Sequence, residues 1–217
     1  MTTKARRIFC ILISILAFGG LAAIFPGLPA EIPLHWDLNG EVTLEAKGQL
    51  WVFAGMLVFF NGMFEVLPHV DPRKDNYLRF QREYNAFCVV FNLFFLAFLG
   101  AVCVQALAPG AFDMVSFLWL VLGILLTFVG NLMPKFKSNF FSGVKTPWAL
   151  SDDENWRKTQ RLGGKLIFVS GLIWIACALF GLPSKAVLFL GLGSVFTAAL
   201  VPYGMSYYWW RKKEEGR

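Results

Sequence analysis

Charge is scarce in this sequence. Asp, Glu, Lys and Arg make up 16% of the 217 residues while hydrophobic residues reach 57%, against about 25% and roughly 45–50% in soluble domains. So few charges cannot clothe a water-facing surface, and so much apolar area cannot be hidden in a core of this size. A soluble enzyme and a disordered chain are both excluded. Histidine is scarcer still, with only His35 and His69. The sequence has no H-E-x-x-H, no G-x-S-x-G and no Walker loop, and Gly191-Leu192-Gly193 lacks the third glycine of a dinucleotide turn. No residue set for catalysis, metal binding or a cofactor stands out, so the chain is not expected to be an enzyme. Cysteine is present but never paired at short spacing. Cys10, Cys88, Cys103 and Cys177 lie singly in apolar runs, which excludes a disulfide framework or zinc knuckle and leaves small packing residues.

Long apolar runs dominate what is there. Crossing a ~30 Å hydrocarbon core takes about 20 helical residues. Six stretches meet or approach that length: 8–25, 49–67, 84–108, 114–133, 166–182 and 186–208. The first follows Lys4, Arg6 and Arg7 as a signal peptide would, but Gly27-Leu28-Pro29-Ala30 is a poor cleavage site, so an uncleaved span is expected. With the N-terminus inside, all of the 20 Lys and Arg except Lys47 and Lys185 fall on the inner side. That segregation predicts an N-in, C-in orientation, and it explains the net charge of +6 without nucleic acid. The expected fold is an all-α integral membrane protein of six transmembrane helices. Three units are expected: an N-terminal helical hairpin over 8–67, a third helix over 84–108, and a C-terminal membrane domain over 114–208 with an inner loop at 134–165.

Two connections are long enough to carry function. In the outer one, Ile32, Leu34, Trp36 and Leu38 alternate with polar residues and Pro33, then Asn39-Gly40 offers a type I′ turn before Glu41–Glu45. This predicts a small hairpin with Trp36 at headgroup level. In the inner one, aromatics and cations mix from Pro134 to Trp148, with breakers at Gly143 and Pro147. Ser151-x-x-Glu154 then reads as a capping box for an amphipathic inner-face helix that bends at Gly163-Gly164 into the fifth span. Glu65 is the one acid inside a span and is expected to meet water, Arg79 or Arg82. Asn61, Asn85, Asn92 and Asn131 cluster at the same depth. They suit interhelical hydrogen bonding or, alternatively, a pocket.

From Gly130-Asn131 through Lys135, Lys137, Asn139-Phe140-Phe141-x-Gly143-Val144-Lys145-Thr146-Pro147-Trp148-x-Leu150-Ser151 to Trp156, Thr159, Arg161 and Gly164-Lys165, the sequence resembles the SdpI family of bacterial membrane proteins. Ile32-Pro33-x-His35-Trp36 with Gly40 and Lys47 resembles the short N-terminal domain that often accompanies it, with Asp37 where Asn is common. The resemblance implies a multi-pass bacterial cell-membrane protein giving immunity to a secreted peptide toxin, and sequestration of a cytoplasmic repressor once toxin is sensed. The implied partners are the lipid bilayer, a toxin outside and a repressor inside, with no direct contact to nucleic acid. His35, Trp36 and Gly40 are the candidate outer contacts. Asn131, Lys135, Asn139, Gly143, Lys145, Thr146, Pro147, Trp148, Trp156 and Arg161 form the candidate inner motif. Without the resemblance, the cations also suit topology and lipid phosphates, and His35-Trp36 suits an interfacial anchor. The alternative function is a small transporter or lipid-interacting envelope protein with no cognate toxin.

Overall fold

Thr2 starts the first helix by accepting a hydrogen bond from the Ala5 amide at 3.2 Å, a side-chain cap for otherwise orphaned amides. The computed structural model describes residues 1–37 and 41–216; the expected Asn39-Gly40 turn, and Gly40 with it, lie outside the described residues. Helix α1 spans Thr3–Ile24, strand β1 Glu31–Trp36 and strand β2 Val42–Ala46. They are followed by α2 (Gln49–Val70), α3 (Lys74–Arg79), α4 (Gln81–Leu107), α5 (Met114–Leu132), α6 (Pro147–Ser151), α7 (Asp153–Leu179) and α8 (Ser184–Glu215). Among the described residues six helices are long and apolar enough to cross a membrane: α1, α2, α4, α5, α7 and α8. Their outer faces stay apolar, with Phe59, Phe189, Phe196 and Leu200 exposed, while Asn85, Asn92, Thr159, Gln160 and Ser170 are buried. Polar inside and greasy outside is the arrangement a bilayer demands. The protein is a multi-pass membrane protein.

The tight connections have local causes. Gly110 at φ 78° and Gly181 at φ 60° turn the chain between α4 and α5 and between α7 and α8, in a region where a Cβ is penalised. The hairpin β1–β2 is antiparallel, with its register shifting between Pro33 and His35, where proline has no N–H to give the ladder. Ile32 is fully buried beneath it and joins Leu21, Leu50, Leu57 and Val102 in one apolar cluster, onto which Trp36 packs. Lys47 donates to the carbonyls of Phe25 and Leu28, both at 3.0 Å. It thereby satisfies acceptors beyond the end of α1.

Three expectations need correcting. Glu65 does not meet Arg79 or Arg82; it pairs with Arg6 at 2.6 Å and Arg7 at 2.8 Å, because the start of α1 lies against the end of α2. The capping residue of α7 is Asp152 rather than Ser151. Its extended backbone lets the carboxylate accept from the Glu154 and Asn155 amides, whereas Ser151 closes α6 and donates to the Trp148 carbonyl at 3.0 Å. The helix is also not interrupted at Gly163-Gly164. It continues as the single 27-residue α7, so the expected inner-face helix is the first turns of a spanning one. The glycines serve packing instead. A Cβ on Gly164 would lie 2.7 Å from the Gly130 carbonyl, and one on Gly130 2.4 Å from the Phe168 amide nitrogen. Small residues let α5 and α7 touch backbone to backbone.

Two of the four asparagines pair across helices. Asn61 and Asn92 exchange amide hydrogen bonds at 2.8 and 2.9 Å, and Asn61 also donates to Ser14. Asn85 donates to the Met1 carbonyl at 3.3 Å. A cleft of about 460 Å³ beside them is lined by Arg6, Ser14, Asn61 and Glu65. Interhelical bonding and a cleft therefore coexist. All four cysteines are free and buried.

Candidate functional site

The chain between α5 and α6 is a folded loop tied at five residues, Phe136, Ser138, Phe140, Val144 and Thr146, to α7, to α8 and to the link before α4. Asn139 is fully buried. Its Oδ1 accepts from the Phe141 and Ser142 amides at 2.9 and 2.6 Å while its Nδ2 donates to the Lys137 and Ser142 carbonyls. One short amide side chain thus replaces backbone partners that an irregular loop lacks. Gly143 follows at φ 93°, and a Cβ there would lie 2.3 Å from the Gln160 Oε1. Gln160, on α7, occupies that space to accept from the Val144 amide at 3.0 Å and donate to its carbonyl at 2.8 Å.

Thr146 caps α6 by accepting from the Ala149 amide at 3.0 Å. Its hydroxyl also shares a 2.7 Å hydrogen bond with Ser206 of α8. Pro147 takes the first helical position, where its fixed φ suits the helix and its missing N–H costs nothing. Trp148 packs against Tyr203 and Tyr207, ring centroids 5.4 and 4.9 Å away. Trp156, almost fully buried, donates its indole N–H to the Phe136 carbonyl at 2.8 Å.

The link before α4 holds the loop from the other side. Asp71, only 2% exposed, accepts from the Phe140 amide at 2.9 Å and the Tyr77 hydroxyl at 3.1 Å. Arg73 donates to the Ser138 hydroxyl and, at 2.6 Å, to the Leu150 carbonyl. Asn76 donates to the Ser138 carbonyl at 2.7 Å. Burial, reinforced by the neighbouring Asp71 carboxylate, pushes the Tyr77 phenol above its ordinary value of 10.0, so it stays a donor. Burial works against the Asp152 carboxylate, but hydrogen bonds from Lys213 and from the Asn155 and Glu154 amides hold it below its ordinary 3.8.

Of the ten inner candidates, Asn139, Gly143, Thr146, Pro147, Trp148 and Trp156 belong to this network. Lys145 is exposed and donates to the Phe141 carbonyl at 3.3 Å. Arg161 lines an adjoining cavity. Asn131 and Lys135 are exposed and stand apart from the network. On the hairpin, His35 is exposed whereas Trp36 is half-buried, so the two do not form one surface. Asp71, Arg73, Asn76, Gln160, Asn155 and Ser206 were not legible as partners. Each is an ordinary polar residue up to 77 positions away in sequence from the group it holds.

Such a loop presents shape and charge. Phe140, Phe141 and Lys145 face outward, with the Arg73 guanidinium 5.4 Å from the Phe140 ring centre. Beneath Phe141–Val144 lies an apolar cavity of about 470 Å³ lined by Phe60, Phe64, Phe87 and Phe91. The loop and the two helices after it match a described family. Residues 135–206 match the SdpI/YfhL protein family. The SdpI match thus takes in the whole clamped loop but not the β1–β2 hairpin. Over 213 residues, 98% of this chain and 99% of the relative, it is also 23% identical to the Immunity protein SdpI of Bacillus subtilis (strain 168). No solved structure matches.

Proposed function

We propose that this protein is a bacterial cell-membrane immunity protein that protects its host from a secreted peptide toxin, with the clamped loop as its recognition element. The observation that carries the proposal is the likeness to Immunity protein SdpI running across 98% of the chain, hairpin and all six long helices included. The loop supports it physically. Asn139, Gly143, Thr146 and Trp148 add nothing to the basic charge that orients a membrane protein, yet they fix the loop's shape. In this reading the toxin meets the hairpin side, where His35 is exposed and Trp36 packs beneath as its support, and a cytoplasmic repressor meets the loop.

Expression in a toxin-sensitive bacterium tests it by survival, normalised to membrane abundance. The wild-type chain should protect. Gly143→Val, Pro147→Ala and Trp148→Ala leave charge unchanged and should each abolish protection or signalling with the protein still in the membrane. Normal protection by all three, with loss in variants lacking Lys135 and Lys145, would make the loop an electrostatic anchor. No protection against any toxin tried would favour an envelope protein acting on lipid.

A further inference from the structure

The cavity that Arg161 lines is built from more than the family segment. It opens between α3, the start of the loop and the first turns of α7, with a volume of about 350 Å³. Arg79, Lys137, Arg157 and Arg161 line it, against one acid, Asp153. Several cations elsewhere at this end are neutralised, Arg6 and Arg7 by Glu65, Lys158 by Glu154 and Lys213 by Asp152, though Lys4, Lys135 and Lys212 are in no such pair among the described residues. The four cations lining the cavity likewise have no ion-pair partner among the described residues. Arg157 and Arg161 stand four residues apart on one helix face, where like charges repel. Four unneutralised cations round one concavity repel one another, and an anion seated there would relieve that repulsion.

We infer that this cavity binds the phosphate headgroup of an anionic phospholipid. Phosphate fits the cavity's chemistry, since guanidinium groups grip it with paired N–H donors and an ammonium adds a point charge. Two observations point to a lipid rather than a free phosphate. Leu78, immediately before Arg79, is 74% exposed, which places an apolar side chain beside the cations, as at a bilayer interface. In addition, Phe136 walls both this cavity and the apolar cavity of about 470 Å³ below the loop. A molecule with an anionic head and an apolar tail matches that pairing. The site differs from diffuse attraction to anionic headgroups because it needs Arg79, which the chain brings from 56 residues before Lys135, where the family segment begins. It is independent of the immunity reading.

The full-length chain, purified and delipidated in detergent, is titrated with phosphatidylglycerol, phosphatidylcholine or inorganic phosphate and monitored by native mass spectrometry. Phosphatidylglycerol should be retained in preference to phosphatidylcholine. Arg157→Gln/Arg161→Gln should weaken retention about 25-fold and Arg79→Gln about fivefold, a factor of about five per cation near an anionic surface. Lys4→Gln/Lys212→Gln removes the same charge from this end outside the cavity and should leave retention unchanged. Equal losses from the two pairs would mean unspecific attraction and overturn the site. Inorganic phosphate held as tightly, with the same dependence on Arg79, would overturn the lipid assignment. The substituted side chains are exposed, so the unfolding midpoint in detergent should hold; if the double variant unfolds, Arg79→Gln decides alone.

Discussion

At Gln160 a single side chain substitutes for a missing strand partner. Both its amide atoms bond the backbone of Val144, and Gly143 is a glycine because the neighbouring carboxamide leaves no room for a Cβ. Gln160→Leu should therefore leave the Val144 N–H and C=O without partners, at about 1–3 kcal/mol for each buried group left unsatisfied. A lowered unfolding midpoint and faster proteolysis between Phe140 and Lys145 would show it; unchanged cleavage would mean that the other ties suffice. Asp152 carries a pH prediction. Its carboxyl is depressed, so its stabilising bond to Lys213, 3.1 Å away, is complete above the ordinary value of 3.8 and is lost as pH falls through the depressed one. Melting of wild type against Asp152→Asn should converge as the buffer is taken from above the ordinary 3.8 to well below it. A gap that stays constant would show that this carboxylate contributes nothing through its charge.

Helix pairs are discriminated by where their glycines lie. On α5 and α7, Gly130 and Gly171 have no space for a Cβ, which would meet backbone atoms at 2.4 Å in each case. On α1 and α4, Gly19 and Gly100 have nothing within 4 Å. Gly130→Val or Gly171→Val should push α5 from α7 and destabilise the bundle by about 1–3 kcal/mol, the usual cost of overpacking. Gly19→Val and Gly100→Val should be near neutral. Thermal unfolding in detergent separates the two groups; equal tolerance would mean that α5 and α7 pack less closely than described. The composition of these spans announces apolar helices, but it does not say which glycines face a neighbour.

Alternation of the six spans puts both termini and every Lys and Arg except Lys47 and Lys185 on one side, with the hairpin on the other. This supports the N-in, C-in orientation as a proposal. All four native cysteines are buried, so an introduced thiol can be read against a quiet background. Glu41→Cys should react with an impermeant thiol reagent in intact cells, and Ser151→Cys only after permeabilisation; both positions are exposed. The reverse labelling would invert the molecule, and protection of both would argue against the six-span arrangement.

Six spans, the hairpin strands and the breakers of the loop were legible in sequence because each rests on neighbours along the chain. An apolar run long enough to cross a bilayer, an alternation of period two, a glycine or proline that limits φ: all are local. Ser151 misled because its spacing to Glu154 is as good as that of a true cap, and only the short helix α6 ending there hands the role to Asp152. Glu65 misled for the opposite reason, since its arginines come from a helix 58 residues earlier. Hydropathy and charge segregation by themselves determined that this is a membrane protein with a basic end. Only the tertiary structure decided what the polar residues of that end do, because a hydrogen bond or ion pair between distant segments leaves no periodicity in the chain that forms it.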